Sequence, residues 1–429
     1  MPNEYIGLAF NIVAVAVFLF MLPLLDLKSK LFTSGLFGTG VIIHYAVGDS
    51  GIGLVEGITQ NMALLSILIL APLLSVPLRR EGMIDTVVSL LTDIKNNPRN
   101  TFYGISLFML TMAPILNMGA LRIVHGFIEG IKIPSKLLSR SYYVGFTPAV
   151  IWSPFFASVG IVIFYLDITY LSYFATGISF AIVQLVAGIL LFRPGKTTEV
   201  AAALEKEVRD REITTVKKTN IYILIGFVVL LVLLLITLEQ LLEKSMLLLV
   251  SIICIFVPLF WMLIRGNIKI GKEELSRYKS KMVSQKMEIC LFLSAGLFGN
   301  SISKTPIKQF LEQSIQWSAS QSIGILFLFI ILFVTLMAFV GVHQIIVVPL
   351  ILTSLNFAEL PNLAVSSVAF MCIFTWMLSS SISPLNALNI IISQCVKRNG
   401  VTVAFRWNGI YFGAITSLAF FYVYVLNWL

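Results

Sequence analysis

Apolar runs close to 20 residues long recur from Tyr5 to Leu429, separated by short polar loops. A helix of that length rises about 30 Å, the thickness of the hydrocarbon core of a bilayer. Inside lipid every backbone polar group must be paired within the protein, so only helices or closed barrels can span it. A barrel would show segments of about ten residues with alternating polarity, and none is present. Charged residues make up 12% of the chain, against about a quarter in a soluble domain. The fold class is therefore an all-α polytopic membrane protein, and a soluble globular enzyme is excluded.

Reading runs against loops places crossings at 5–24, 31–48, 61–78, 141–165, 169–192, 220–238, 245–264, 287–303, 363–395 and 409–427. Two further apolar stretches, 101–131 and 323–355, are too long for one ordinary span and are broken in the middle, at 114–119 and 340–343. Each reads as a re-entrant hairpin of two arms of about fifteen residues. With ten crossings and two hairpins, 26 of the 30 lysines and arginines fall on one side, which the positive-inside rule makes cytoplasmic. Both termini are then outside. The net charge of +9 is spread over short loops and marks topology, not a nucleic-acid partner. Cys254, Cys290, Cys372 and Cys395 have no metal-ligand or disulfide spacing and read as packing residues. No basic region precedes the first apolar run, so 5–24 is expected to remain as a span and not to be removed as a signal peptide.

The longest polar stretch, 193–219, lies mid-chain and reads as a cytoplasmic linker between 1–192 and 220–429. On either side of it the order of elements is the same, and Ser153-Pro154 answers Ser383-Pro384. Residues 78–84 lead into an amphipathic stretch ending near Lys95, as 303–308 lead into one ending near Ser318, and both read as surface helices. The halves form an internal duplication of five spans, one hairpin (101–131, 323–355) and one broken span (141–165, 363–395) each. Five is odd, so the halves insert as inverted repeats. Inverted halves with broken helices are the layout of a secondary transporter whose site lies near the midplane.

Four breaks expose backbone groups that lipid cannot satisfy: Asn117 to Gly119, Ser153-Pro154, Gly341 to Gln344, and 379–384 with Asn386 and Asn389. The expected substrate-binding residues are Asn117, Gly119, Arg122, Ser153, Pro154, His343, Gln344, Ser383, Pro384 and Asn386. Carbonyls and hydroxyls suit a coupling cation, for which Asn117, Ser381, Asn389 and His343 are the candidates. Arg122, a basic residue well inside the apolar region, is costly there unless it is paired. It either binds a carboxylate or oxyanion, snorkels to the cytoplasmic loop, or pairs with Glu129. His343, and less directly His125, either take part in proton coupling or are satisfied structurally; His44, near Asp49, reads as structural. No acidic residue sits at the breaks, and no catalytic or metal-ligating set is evident.

The stretch Leu293-Ser-Ala-Gly-Leu-Phe-Gly-Asn-Ser-Ile-Ser-Lys-Thr-Pro-Ile307 resembles the glycine-containing span and turn of the ion transporter superfamily, which includes divalent-anion/sodium symporters, arsenite antiporters and TRAP membrane subunits. Ser383-Pro-Leu-Asn-Ala-Leu-Asn389 and Ser153-Pro-Phe-Phe-Ala157 resemble its Thr-Pro-Pro-type breaks, and Asn117 its hairpin-tip asparagine. Leu116 and Met118 depart from that tip motif, as does Gly341-Val-His-Gln344. The resemblance implies a scaffold plus a mobile transport domain, a homodimer and an elevator motion. The expectation is a plasma-membrane secondary transporter, not an enzyme, that moves a small anionic organic solute with sodium or protons and needs no cofactor. The alternatives are an exporter of amphipathic or toxic compounds on the same fold and, further off, an intramembrane transferase.

Overall fold

The computed structural model describes residues 2–48, 51–59, 62–81, 98–128, 133–192, 219–265, 285–355 and 363–428, with isolated positions between 273 and 282. Asp49, Glu129, the amphipathic stretch after residue 81 and the linker after residue 192 lie outside the described residues. Among the described residues no strand occurs, and seven helices are long and apolar enough to cross a membrane.

The first half begins with α1 (Pro2–Met21) and α2 (Leu27–Ala46), whose first turn is capped by Asp26 accepting from the Ser29 amide at 3.2 Å. Next come α3 (Gly51–Thr59), α4 (Met62–Leu70) and α5 (Ser75–Arg80), with Pro72 in the 3₁₀ turn between the last two. The first hairpin stretch is α6 (Pro98–Leu116) and α7 (Met118–Ile128), followed by the broken pair α8 (Ser135–Trp152) and α9 (Ala157–Leu166), then α10 (Tyr170–Leu190).

The second half comprises α11 (Thr219–Leu242), α12 (Met246–Ile264), α13 (Lys286–Ile302) and the expected amphipathic helix α14 (Pro306–Gln321). The last buries Leu311, Ile315 and Ser318, one helical face. The second hairpin stretch is α15 (Ile323–Val340) and α16 (Gln344–Thr353), and the second broken pair is α17 (Val365–Ile382) and α18 (Ala387–Cys395). A π-helical turn, Thr402–Trp407, leads into α19 (Asn408–Trp428).

Three features depart from the expected layout. The helix α3 falls in a stretch read as loop. The hairpin arms are unequal, 19 and 11 residues in the first and 18 and 10 in the second, because each break ends a helix at a positive-φ residue and not at a hydropathy minimum. Four expected crossings, 5–24, 31–48, 61–78 and 287–303, fall outside the seven long apolar helices, whereas α15, read as a hairpin arm, is one of the seven; two of the four are α2 and α13. These two pack on each other, and a Cβ on Gly40 of α2 would already stand 3.1–3.2 Å from Leu297 and Phe298 of α13.

Two sets of contacts organise the molecule. The helix α13 lies against α1, α2 and α3, and α12 against α4 and α11. The broken helices form a second cluster, with α8 packed on α6, α10 and α17, and α17 on α15 and α19. In lipid, helix association depends on close packing and not on a hydrophobic drive, so small residues mark the tightest crossings. At Gly145 of α8, a Cβ would collide with the backbone carbonyl of Ser106 in α6.

At one end of the first cluster, Arg265 grips Glu81 in bidentate fashion, with Trp261 donating to the same carboxylate at 2.9 Å. Arg80 bonds Glu273 and Glu274 at 2.8 and 2.9 Å, and these bonds raise the pKa of its guanidinium.

Candidate functional site

The two hairpin tips are built from different residues to the same end. In the first, α6 stops at Asn117 in the left-handed region (φ 51), its amide bonding the Ala113 carbonyl at 2.9 Å. Asparagine tolerates that conformation better than other non-glycine residues, and its Oδ1 accepts from the Met118 amide at 2.8 Å, the start of the return arm. In the second, Gly341 takes φ 97, and the Val342 amide closes back on Met337 at 2.8 Å in a Schellman pattern. His343 then caps the return arm, its Nδ1 accepting from the Ile345 amide at 3.2 Å.

At both tips a carbonyl two residues inside the helix end lacks its regular helical amide, although Ala338 keeps a 3.3 Å bond from the Gly341 amide. In the first hairpin this is Pro114, and Ser153 Oγ donates to it at 2.9 Å. In the second it is Ala338, and Ser383 Oγ donates to it at 2.8 Å. The two serines are the C-caps of α8 and α17 and share one conformation (φ −72, ψ 127 and φ −72, ψ 126). Each hydroxyl also accepts from the amide two residues on, Phe155 or Leu385, at 3.3 Å. Each serine carbonyl accepts from the amide three residues on, Phe156 at 3.1 Å or Asn386 at 3.2 Å. A helix break and a hairpin tip are thus locked by one hydroxyl, twice over.

The remaining carbonyls at the breaks are largely occupied as well. Tyr173 and Tyr170 donate to Ile151 and Trp152 at 2.8 and 2.9 Å, and Ser158 to Val150 at 3.1 Å. Tyr143 of α8 crosses to the Ser381 carbonyl of α17 at 3.0 Å, tying one break to the other helix. Asn389 Nδ2 reaches Ile382 and Gly400, both at 3.3 Å, and its Oδ1 accepts from Ser393. Beyond the breaks the halves interleave: α9 packs on α16 and α18 on α7, each the return arm of the opposite hairpin.

Ser153, Pro154, Ser381, Ser383, Asn386, Asn389 and Gln344 are buried, while Asn117, Gly119, His343 and Pro384 are half-buried. Gln344 donates to Ser379 Oγ at 2.8 Å, leaving its Oε1 buried with no partner among the described residues; Thr375 Oγ1, one turn before Ser379 on α17, is in the same condition. These two oxygens are acceptors at the second tip not already spent on the backbone. Arg122 stands apart from the locks. It is exposed on α7, within electrostatic reach of Glu288 on α13. His125 meets the Tyr142 hydroxyl at 3.1 Å.

Several participants escaped the reading of the sequence. Tyr170 and Tyr173, three residues apart at the start of the helix after the break, share a face, which is a usable signal. So is Gln184, an isolated amide in an apolar run; it is fully buried and donates to Thr147 Oγ1 at 2.6 Å, which also meets the Tyr411 hydroxyl at 3.1 Å. A cavity of about 190 Å³ lies where α13 meets α16, lined by Gly296, Gly299, Ser303, Lys308, Tyr165 and Thr353 among others. Its cation, Lys308, is 3.6 Å from Glu312. Nothing in the residue pattern marks that cavity.

No family model matches the chain, and no curated protein does. Among solved structures, that of the Alcanivorax borkumensis YdaH transporter, described as having an unusual topology, is similar over 96% of this chain and 98% of its own, with a TM-score of 0.49 and 12% identity. At that distance nothing about the chemistry of the site follows from it.

Proposed function

We propose that the protein is a secondary active transporter, not an enzyme, that carries a small anionic organic solute across the plasma membrane, coupled to sodium or protons, in the manner of the ion transporter superfamily. The observation that carries the reading is the pair of matched junctions, in which Ser153 and Ser383 each hold a broken helix to a hairpin tip by one hydroxyl bond and brace the break with the same two local bonds. Broken helices placed in corresponding parts of two inverted halves are how such proteins bring backbone groups to a solute at mid-membrane. With most carbonyls at the breaks paired, solute or cation would enter by replacing side-chain donors. The unspent oxygens of Gln344 and Thr375 are where a cation or a hydroxyl-bearing solute would bind first. The elevator motion would carry the cluster of broken helices past the set around α2 and α13, as one protomer of a homodimer with both termini outside. Proton coupling through His343 would have to break the cap at Ile345, since Nδ1 accepts only when it is unprotonated.

One observation favours the exporter of amphipathic compounds as a second reading: Arg122 is exposed and takes no part in the bonds that lock the tips. The thermal stability of the purified protein against carboxylates, amino acids and oxyanions, with and without sodium, separates the two. Ligand binding to the folded state raises the melting temperature by mass action. A sodium-dependent rise with one anion class, lost in Asn117→Ala and Gln344→Ala, supports the anion transporter. Stabilisation by amphipathic compounds alone, unchanged in Arg122→Ala, supports the exporter.

A further inference from the structure

The far end of α8 carries a second polar site that the transport reading does not use. Arg140 lies thirteen residues before the break at Ser153, about 20 Å along the helix axis. Its Nε donates to the Trp407 carbonyl at 3.1 Å, the last residue of the π-helical turn. Its two terminal nitrogens have no acidic partner among the described residues, although the side chain is half-buried. Such a guanidinium normally finds an anion, because four donors held in a plane match a carboxylate or phosphate edge.

Next to it, Asn408 is 1% exposed. Its Nδ2 is committed to the Val403 carbonyl at 2.8 Å and to Ser139 Oγ at 3.3 Å, which fixes the amide orientation. Its Oδ1 is left buried without a donor among the described residues. Arg140 and Asn408 line one cavity of about 50 Å³, walled by Phe102, Phe192 and Trp407, the first two stacked at 3.9 Å. Leu191 and Ile410 line it as well, and they are exposed, Ile410 by 76%. The site thus offers cationic donors, room for a single small group and an apolar rim, with Trp407 as the amphipathic residue usual at a membrane interface.

We propose that this cavity binds the phosphate of a glycerol phosphodiester or monoester. The phosphoryl oxygens lie on the Arg140 terminal nitrogens, and the glycerol lies against Asn408 and Trp407. The source is either the headgroup of phosphatidylglycerol, whose chains would run over Leu191 and Ile410, or soluble glycerol 3-phosphate. Basic pockets between membrane helices are known places for anionic headgroups. The ligand would also brace the π-helical turn that leads into α19.

Native mass spectrometry and thermal melts of the full chain in mild detergent, with phosphatidylglycerol, phosphatidylcholine or glycerol 3-phosphate added, test this. Retention of phosphatidylglycerol over phosphatidylcholine, reduced about tenfold or more in Arg140→Gln and unchanged in the exposed neighbour Arg406→Gln, supports a lipid site. An equal melting shift from glycerol 3-phosphate, lost in the same variant, supports the phosphate site with a soluble ligand. If Arg140→Gln does not fold, Arg140→Lys is read instead: one ammonium cannot hold both Trp407 and the phosphate, so weaker retention is expected. Binding equal to wild type in whichever Arg140 variant folds, or no preference for either phosphate-glycerol ligand over phosphatidylcholine, overturns the proposal.

Discussion

Two serine hydroxyls bear more of this structure than their size suggests. Ser153 and Ser383 each donate to a carbonyl that a left-handed tip has stripped of its helical partner, at 2.9 and 2.8 Å. Replacing Ser153 with alanine leaves the buried Pro114 carbonyl without a donor among the described residues, which costs about 1–3 kcal/mol, whereas Ala338 keeps the Gly341 amide at 3.3 Å when Ser383 is replaced. Ser153→Ala should therefore lower the melting temperature of the purified protein more than Ser383→Ala; an equal loss would deny that the Gly341 amide holds the Ala338 carbonyl. His343 makes a sharper case. Asparagine in its place preserves an acceptor for the Ile345 amide. His343→Asn is therefore expected to keep stability within about 0.5 kcal/mol and to leave the pH dependence of transport unchanged, whereas His343→Ala should lose about 1 kcal/mol. A pH profile flattened by His343→Asn would instead assign the histidine to proton coupling. The sequence made these residues visible because Ser-Pro pairs and a histidine are conspicuous inside apolar runs. It could not reveal that the serine hydroxyls are spent on backbone, because Pro114 and Ala338 carry no side-chain sign of an orphan carbonyl.

Helices, by contrast, were legible wherever hydropathy alone sets their ends. The stretches read as spans at 169–192 and 245–264 correspond to Tyr170–Leu190 and Met246–Ile264. The reading faltered where geometry sets the end. Hairpin arms stop at Asn117 and Gly341, and α3 begins and continues through glycines that look like loop. Two predictions belong to this scale. Gly145→Ala forces a methyl into the Ser106 carbonyl across the α6–α8 crossing and should destabilise by about 1–3 kcal/mol, measured as a loss of melting temperature in detergent. Glu239 is 6% exposed and caps α10 from a distance, accepting from the Tyr170 and Leu171 amides at 2.9 and 3.3 Å. Carboxylates at a helix N-terminus gain from both the free amides and the dipole. Glu239→Gln should cost about 1 kcal/mol, and hydrogen exchange at Tyr170 and Leu171 should quicken while α12 stays protected.

For the whole molecule, what matters is how the halves meet. The second segment of each broken helix packs on the return arm of the other half's hairpin, α9 on α16 and α18 on α7. A displacement of one hairpin therefore bears on both breaks. Tyr143, reaching from α8 to the Ser381 carbonyl, is a further tie between them. This crossing-over was not readable from order and motif, because a repeat seen in sequence says which elements correspond and not which ones touch. The account depends on these junctions opening to admit a solute, and flux tests that most directly. Purified protein in liposomes would be loaded to set an inward sodium or proton gradient and offered labelled small carboxylates and oxyanions. Gradient-driven accumulation of one anion class is expected, abolished by collapsing the gradient and reduced about tenfold in Gln344→Ala, as when a buried ligand contact worth roughly 1.4 kcal/mol is lost. Equilibration without accumulation under either gradient, or accumulation indifferent to Gln344, would contradict it.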